Sequence, residues 1–307
     1  MYVSFYILLL LALVAQIAWG NIVATSLAFP VSGALIVALS AAGYVIDKEY
    51  GHTPWGRQLR SPLFTCHLMG SLAAYCVLGG LMPPLPEATE PTGLLWLGYR
   101  AGMDNFPTSL PFITLLLCCL LQLTMVVSRR LRHGWRISDS AFILVHTGWW
   151  IAVASGFFGS SDFSEQRIVV PSAYSDNVPY TESLASTRTA YDRQGHKMAL
   201  PYSLSLTRFE MTRNAADGTP SRYTAVLETD GRKTFRLEPG KPFAPTWSER
   251  LLLVSYDAAS PDHPAYVIIS RVCQPWRYGI LIGILMLMAG TILFTIRPLV
   301  ATSHSEQ

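Results

Sequence analysis

The feature of this sequence that most restricts its fold is a set of six apolar stretches, each about as long as a bilayer is thick. A hydrocarbon core of about 30 Å needs roughly 20 apolar residues in helical form. Only 14% of the 307 residues are charged, whereas soluble domains contain about 25%. The sequence therefore predicts a polytopic α-helical membrane protein with six transmembrane helices, at residues 3–19, 23–46, 63–82, 110–128, 140–158 and 276–296.

Charged residues divide the connecting loops into two kinds, and this division predicts the orientation in the membrane. Four arginines lie within residues 129–136, and residues 47–61 contain three basic side chains besides a histidine. Loop 83–109 has three acidic residues and one arginine. Because loops rich in Lys and Arg stay cytoplasmic, we expect loops 47–61 and 129–139 and both termini inside. Residues 159–275 then lie outside.

These spans divide the chain into five predicted parts. They are an additional N-terminal transmembrane hairpin (1–46), a membrane core with spans three to five (62–158), an extracytoplasmic domain (159–275), a last transmembrane helix (276–297) and a cytoplasmic tail (298–307). Pro30 is expected to kink the second span, because proline removes a backbone hydrogen bond from a helix.

The extracytoplasmic segment has the pattern of a small antiparallel β-domain. Apolar residues alternate over residues 200–206 and 223–227, and further strands are predicted at 233–237, 251–254 and 266–272. The Asp230-Gly231 pair favours a tight hairpin turn between two of them. Residues 171–197 show no clear period and are predicted as loop. No hydrolase or nucleotide-binding motif is present, so the domain is not expected to be an enzyme.

Two other function classes lack support in the sequence. No basic tract is suited to following a phosphate backbone, so nucleic acid is not an expected partner. The five cysteines include no CxxC pair, which argues against a zinc site or a thioredoxin-like motif.

Two histidines are predicted within the spans, at similar depth in the cytoplasmic half of the membrane. His67 lies near the start of the third span and His146 about one third of the way through the fifth. Polar side chains at such depth are costly and usually face a bundle interior or cavity. Imidazole is a good ligand for haem iron, and it can equally form a hydrogen bond between two helices. The residues alone leave three interpretations open: one haem ligand, a joint bis-histidine site, or helix bridging.

Residues beside His146 could also contact a flat ligand. Gly148 lets either a neighbouring helix or a porphyrin approach closely. Trp149 and Trp150 suit packing or interfacial anchoring, and they could also line a porphyrin face.

Five segments occur in an order and spacing similar to those of one known family. They are Ala141–Gly159 with His146 inside it, Leu200–Phe209, Gly218–Tyr223, Leu253–Tyr256 and Gln274–Gly279. The first resembles the histidine-bearing helix of ResB-like proteins, the CcsB component of System II cytochrome c maturation. The last resembles the sequence that opens the family's final span.

The resemblance implies a function, a cofactor and partners. ResB-like proteins act with CcsA, a membrane protein with a Trp-rich haem-binding motif, to move haem outward and join it to apocytochrome c. The family's histidine corresponds to His146, which is thereby expected to be an axial ligand of haem iron. His67 matches nothing in the family's pattern. The resemblance also implies the bacterial inner membrane, with the β-domain in the periplasm.

The chain also departs from the family in several places. The hairpin at 1–46 is additional, Cys273-Gln274-Pro275 replaces an Asp-Pro pair, and the Trp-rich motif of CcsA is missing. We therefore expect an accessory subunit of a cytochrome c haem synthase rather than a complete enzyme. The alternative is a membrane scaffold that holds the partner synthase and docks apocytochrome without binding haem.

Overall fold

The computed structural model confirms the predicted architecture of membrane helices and an antiparallel sheet. It describes residues 2–83, 92–134, 139–172, 174–175, 178–179, 186–214, 220–230, 233–260 and 264–303. Within these residues, six helices are long and apolar enough to cross a membrane. The chain separates into two compact units, Met1–Ser161 with Arg277–Gln307, and Asp162–Trp276.

The secondary structure described in the first unit consists of helices. Its membrane-length helices are α1 (Tyr2–Trp19), α2 (Val31–Val45, continued by a π-turn Ile46–Tyr50), α4 (Pro62–Gly80), α6 (Leu110–Arg132), α7 (Ser140–Ser161) and α8 (Arg277–Ser303). Two shorter helices are α3 (Pro54–Leu59) and α5 (Leu94–Arg100). Helices α3 and α4 each begin with a favourable N-cap. Thr53 caps α3 and Ser61 caps α4, and a proline follows each cap.

Two details of the sequence interpretation are wrong. Pro30 does not kink the second span, because α2 begins directly after it and only a short 3-10 turn, Ala24–Leu27, precedes it. A proline is well tolerated just before a helix, where its missing N–H has no partner to lose. Loop 83–109 contains α5, although its residues 84–91 lie outside the described part.

Helices α7 and α8 pack antiparallel through small residues along their length. A Cβ on Gly279 would lie 2.3 Å from the hydroxyl of Ser155, and one on Gly290 would lie 2.6 Å from a methyl of Val145. A Cβ on Gly283 would lie 2.5 Å from the backbone N of Ala152. Small residues allow this closeness, which membrane helices use for van der Waals packing.

The close approach of Gly283 to the backbone of α7 predicts a stability difference between two glycine variants. Gly283→Ala would push a methyl group against the α7 backbone and should destabilise the protein by about 1–3 kcal/mol. Gly70→Ala is the matched control, because open space surrounds that position; it should be neutral or stabilising by up to about 1 kcal/mol. Thermal unfolding in detergent measures both. Equal effects would contradict the α7–α8 packing.

The second unit is built on one seven-stranded antiparallel sheet. Its order is β7-β6-β5-β4-β1-β9-β8, and a separate ribbon pairs β2 with β3. The strands are β1 (Ser164–Pro171), β2 (Tyr174–Ser175), β3 (Val178–Pro179), β4 (Ser186–Tyr191), β5 (Lys197–Arg213), β6 (Pro220–Thr229), β7 (Lys233–Leu237), β8 (Glu249–Tyr256) and β9 (Tyr266–Cys273).

One face of all seven strands supplies a single apolar core. The predicted alternation is confirmed, because Leu204 and Leu227 are fully buried. Leu237 and Leu251, on the two edge strands, are fully buried as well. Phe243 connects the two edges, since its ring stacks 4.1 Å from that of Phe235 and its backbone pairs with Leu251. The sheet therefore curls around its core.

The prediction of loop over 171–197 is wrong in several places, because β2, β3 and β4 lie within this range and β5 begins at its end. Strand β1 extends to Pro171, and β4 lies between β1 and β5 in the sheet. In β4 only Ala190 is buried, so the strand lacks the alternation that marks the others. The predicted turn at Asp230 fits the structure, because Asp230 has φ +45° and Thr229 pairs with Lys233. Gly231 lies outside the described residues.

A polar network is buried at one end of this sheet. Arg271 donates to the carboxylate of Glu249 and, at 2.7 Å, to the amide oxygen of Gln166. The side chain of Arg271 is only 12% exposed, and that of Glu249 is only 9% exposed. Burial, followed by the charge of Glu249, raises the pKa of Tyr202 to about 12, so this hydroxyl stays protonated at neutral pH.

This network predicts that one charge removal will be costly. Glu249→Gln leaves the Arg271 guanidinium buried without a counter-charge, which should cost about 3–5 kcal/mol. Glu210→Gln is the control, because Glu210 pairs with an Arg208 that is 72% exposed and exposed pairs contribute at most about 1 kcal/mol. Protease resistance of the β-domain in the full-length protein measures the difference. An equal, small loss in both variants would contradict the buried pair.

Candidate functional site

His146 is held by its own helix in a single tautomer. Its Nδ1 lies 2.8 Å from the carbonyl oxygen of Phe142, one turn earlier in α7. A carbonyl only accepts, so Nδ1 carries a proton, and in the neutral ring Nε2 keeps its lone pair. The imidazole also stacks on the Phe142 ring, with centroids 3.9 Å apart. This arrangement orients the ring and leaves Nε2 as a potential metal ligand.

The helix-bridging interpretation finds no partner for His146. Across the described residues, no polar group of another helix hydrogen-bonds to this ring, and Nε2 is without a hydrogen bond. The side chain is half-buried in the chain alone. That exposure would let a second molecule reach the ring.

A basic cavity adjoins the residue on which His146 stacks. The guanidinium of Arg130 lies 5.3 Å from the centre of the Phe142 ring, within cation–π range. Phe142 lines a cavity of about 440 Å³, and the other lining residues are Arg60, Val126, Arg129, Arg130 and His133. His146 itself is not among the lining residues. Arg130 is paired with Asp139 at 3.2 Å, so the lining retains a surplus of positive charge.

His67 has different partners from His146. Its Nδ1 is 2.9 Å from the hydroxyl of Tyr6, and its ring contacts Tyr2 with centroids 4.9 Å apart. Both tyrosines belong to α1, so His67 forms a polar contact between α1 and α4. The two histidines share no contact in the described part of the chain, and the structure gives the joint bis-histidine interpretation no support.

The other predicted site residues face protein. Gly148 lies against α8, because a Cβ there would be 2.8 Å from the carbonyl oxygen of Gly283 and from the Cβ of Met286. The sequence predicted that either a helix or a flat ligand would lie against Gly148, and in the structure the neighbour is helix α8. Trp149 packs against the apolar cluster that includes Phe64 and Leu68. Its contact with a porphyrin stays a prediction.

A second tryptophan joins α7 to α6. The indole N–H of Trp150 donates to the carbonyl oxygen of Leu120 at 3.1 Å. His146 and Trp150 thus direct a ring N–H group to backbone acceptors on α7 and α6, respectively. Among the described residues, no group of three or more His, Cys, Asp or Glu side chains could hold a metal ion.

Sequence reasoning missed a buried ion triad at the predicted cytoplasmic end of the bundle. Asp47, with a fully buried side chain, accepts from the guanidinium groups of Arg60 and Arg132. Arg60 also donates to the carbonyl oxygen of Gly51. The triad connects the end of α2, the end of α3 and the end of α6. One signal was available, namely an acidic residue placed directly after an apolar span.

Comparisons with known proteins give a weak structural likeness. No protein-family model matches the chain, and no curated protein matches its sequence. Among solved structures, the chain is similar to a protein described as cytochrome c haem lyase CcmF, with 11% identity and a TM-score of 0.35. The likeness covers 76% of this chain and 34% of that one. This TM-score is below the range in which two chains share a fold, so it says nothing of what this chain binds.

The ion triad predicts a strong dependence of stability on Asp47. Asp47→Asn leaves two guanidinium groups without their carboxylate in a low-dielectric setting, and should destabilise the protein by about 3–5 kcal/mol. Glu49→Gln is the control, because Glu49 is 58% exposed and its Lys48 partner is 3.7 Å away; its effect should stay below about 1 kcal/mol. Thermal unfolding in detergent gives both values. A small loss for Asp47→Asn would contradict the triad's contribution.

Proposed function

We propose that this chain is a membrane subunit of a cytochrome c assembly system, in which Nε2 of His146 is an axial ligand of haem iron. The observation that carries the proposal is the hydrogen bond from Nδ1 of His146 to the carbonyl of Phe142. Histidines that ligate metals characteristically donate their other ring N–H to such an acceptor, which fixes the tautomer and raises the basicity of the ligand.

The surroundings of His146 fit haem as the cargo of this site. Haem is an apolar macrocycle with two carboxylates, and the residues around His146 are apolar with a basic cavity at one end. Arg129 and Arg130 in that cavity are suited to carboxylates, because guanidinium groups bind them through paired N–H donors. Haem supplies the vinyl groups that cytochrome thiols attack, and this chain's part is to hold and orient the ring.

A partner is needed to complete the proposed site. His146 supplies one axial ligand, while His67 is engaged with Tyr6 on α1. We infer that a CcsA-like membrane protein provides the second ligand, as the resemblance to ResB-like proteins implies. The half-buried His146 leaves room for such a partner to approach.

The location that we propose is the bacterial inner membrane. The arginines at the end of α6 and the basic residues after α2 lie at the same end of the bundle, joined through Asp47. The positive-inside rule makes that end cytoplasmic. Both termini are then cytoplasmic, and the β-domain Asp162–Trp276 lies in the periplasm, where apocytochrome c would meet it.

Haem content of the purified complex tests the ligand. The full-length chain would be purified with a CcsA-like partner, and haem measured by absorption and haemochrome formation. His146→Ala should retain less than about a tenth of wild-type haem, whereas His67→Ala should retain haem. Added imidazole should restore binding to His146→Ala, because it replaces the lost ligand. Equal tryptophan fluorescence would confirm that both variants fold.

Cytochrome c maturation in cells separates this proposal from the scaffold alternative. Loss of maturation in His146→Gln is the expected result. Unchanged maturation and haem content in that variant, together with failure when residues 198–272 are deleted, would contradict the ligand role and favour a scaffold that docks apocytochrome.

A further inference from the structure

Helix α6 faces two separate cavities at its arginine-rich end. One is the basic cavity described above, and the other lies on the opposite side of the α6–α7 pair with a volume of about 280 Å³. We call this second space the α2–α6–α7 cavity. Its lining residues are Ser40, Tyr44, Leu123, Thr124, Val127, Ser128, Leu131, Arg132, Thr147 and Trp150. The α6 members recur at helical spacing, so one face of α6 forms a continuous wall.

Two hydroxyl groups in this wall are buried without hydrogen bonds. Oγ of Ser128 and Oγ1 of Thr147 have no partner in the described part of the chain. Ser128 is only 8% exposed. An unsatisfied buried hydroxyl costs about 1–3 kcal/mol, and the two come from different helices that border the same space. Such hydroxyls point to an occupant with a hydrogen-bond acceptor.

The ion triad beside this cavity has a surplus positive charge. Asp47, Arg60 and Arg132 together have a net charge of +1, since two guanidinium groups share one carboxylate. Net charge is costly in a low-dielectric setting and calls for a counter-ion. Arg60 is almost fully buried, with 8% of its side chain exposed, whereas Arg132 is 30% exposed and lines the cavity. The surplus charge is therefore accessible from the cavity.

The charged, polar and apolar lining residues of this cavity lie at different depths in the membrane. Arg132 and Ser128 are four residues apart on α6, so Ser128 lies about 6 Å deeper in the membrane on the same face. Below them the wall is apolar, with Leu123 and Val127. A cation at the surface, a donor one turn deeper and an apolar lining match the order of phosphate, ester carbonyl and acyl chain in a phospholipid.

We propose that the α2–α6–α7 cavity binds an anionic phospholipid from the leaflet at which α6 ends. Its phosphate pairs with Arg132, an ester carbonyl accepts from Ser128 or Thr147, and an acyl chain occupies the apolar part. This inference is independent of haem binding at His146, whose neighbour Phe142 lines the other cavity. The bound lipid neutralises the surplus charge of the triad and joins α2, α6 and α7.

Lipid titration of the full-length protein tests the proposal. Palmitoyl-oleoyl phosphatidylglycerol and phosphatidylcholine with the same acyl chains would each be added to delipidated protein, with binding followed by native mass spectrometry and thermal shift. Phosphatidylglycerol should bind more tightly, and Arg132→Gln should weaken it by at least about fivefold. That variant should still fold, because Asp47 and Arg60 then form a one-to-one pair.

Arg129→Gln is the matched control. It removes the same charge one turn away, on the face of α6 that lines the basic cavity, and should leave phosphatidylglycerol binding within about twofold of wild type. Val127→Trp fills the cavity and keeps every charge, and it should also lose the lipid. This variant tests the site separately from the triad.

Three results would overturn the proposal. One is an equal effect of Arg129→Gln and Arg132→Gln, which would indicate diffuse surface attraction. Another is unchanged lipid binding in Val127→Trp. The third is full stabilisation by glycerol phosphate in phosphatidylcholine, which would indicate a free phosphate site without an acyl chain. Haem content of Arg132→Gln serves as an independent readout, and it should match that of wild type.

Discussion

The packing of the helical unit depends on ion pairs that offset the free-energy cost of burying charge near a membrane. Asp47, Arg60 and Arg132 join the end of α2, the end of α3 and the end of α6 in one ion triad, with the carboxylate fully buried. Removing Asp47 would leave both guanidinium groups without a counter-charge in a low-dielectric setting. The triad thereby holds α6 in a position where its two faces form two different cavities, and α7 borders both through Phe142, Thr147 and Trp150.

Much of the fold could be predicted from the sequence, because its main signals are local. Apolar runs predicted all six spans, alternation predicted β5 and β6, and the other strand candidates match β7, β8 and β9. Strand β4 was missed, since Ala190 alone is buried there and the sheet neighbours make it a strand. The triad was missed for a related reason. It joins positions 47 and 132, and no local pattern indicates a contact over that distance in the chain.

The candidate site could likewise be predicted from the sequence only where its signals are local. His146 was singled out because a polar residue inside an apolar run is costly, and its bond to the carbonyl one turn earlier is a local consequence of helix geometry. The neighbours of Gly148 and His67 depended on the packing of α8 and α1. Neither could be obtained from one sequence. The same holds for the two unpaired hydroxyls, which come from separate helices and meet only in the folded protein.

The central claim is that Nε2 of His146 binds haem iron, and labelling this chain alone tests it most directly. The chain would carry ¹⁵N-histidine while its partner stays unlabelled, and pulsed electron paramagnetic resonance would be recorded on the ferric complex. We predict a directly coordinated ¹⁵N nucleus that disappears in His146→Ala and persists in His67→Ala. A spectrum without a coordinated ¹⁵N nucleus, unchanged by His146→Ala, would contradict the account.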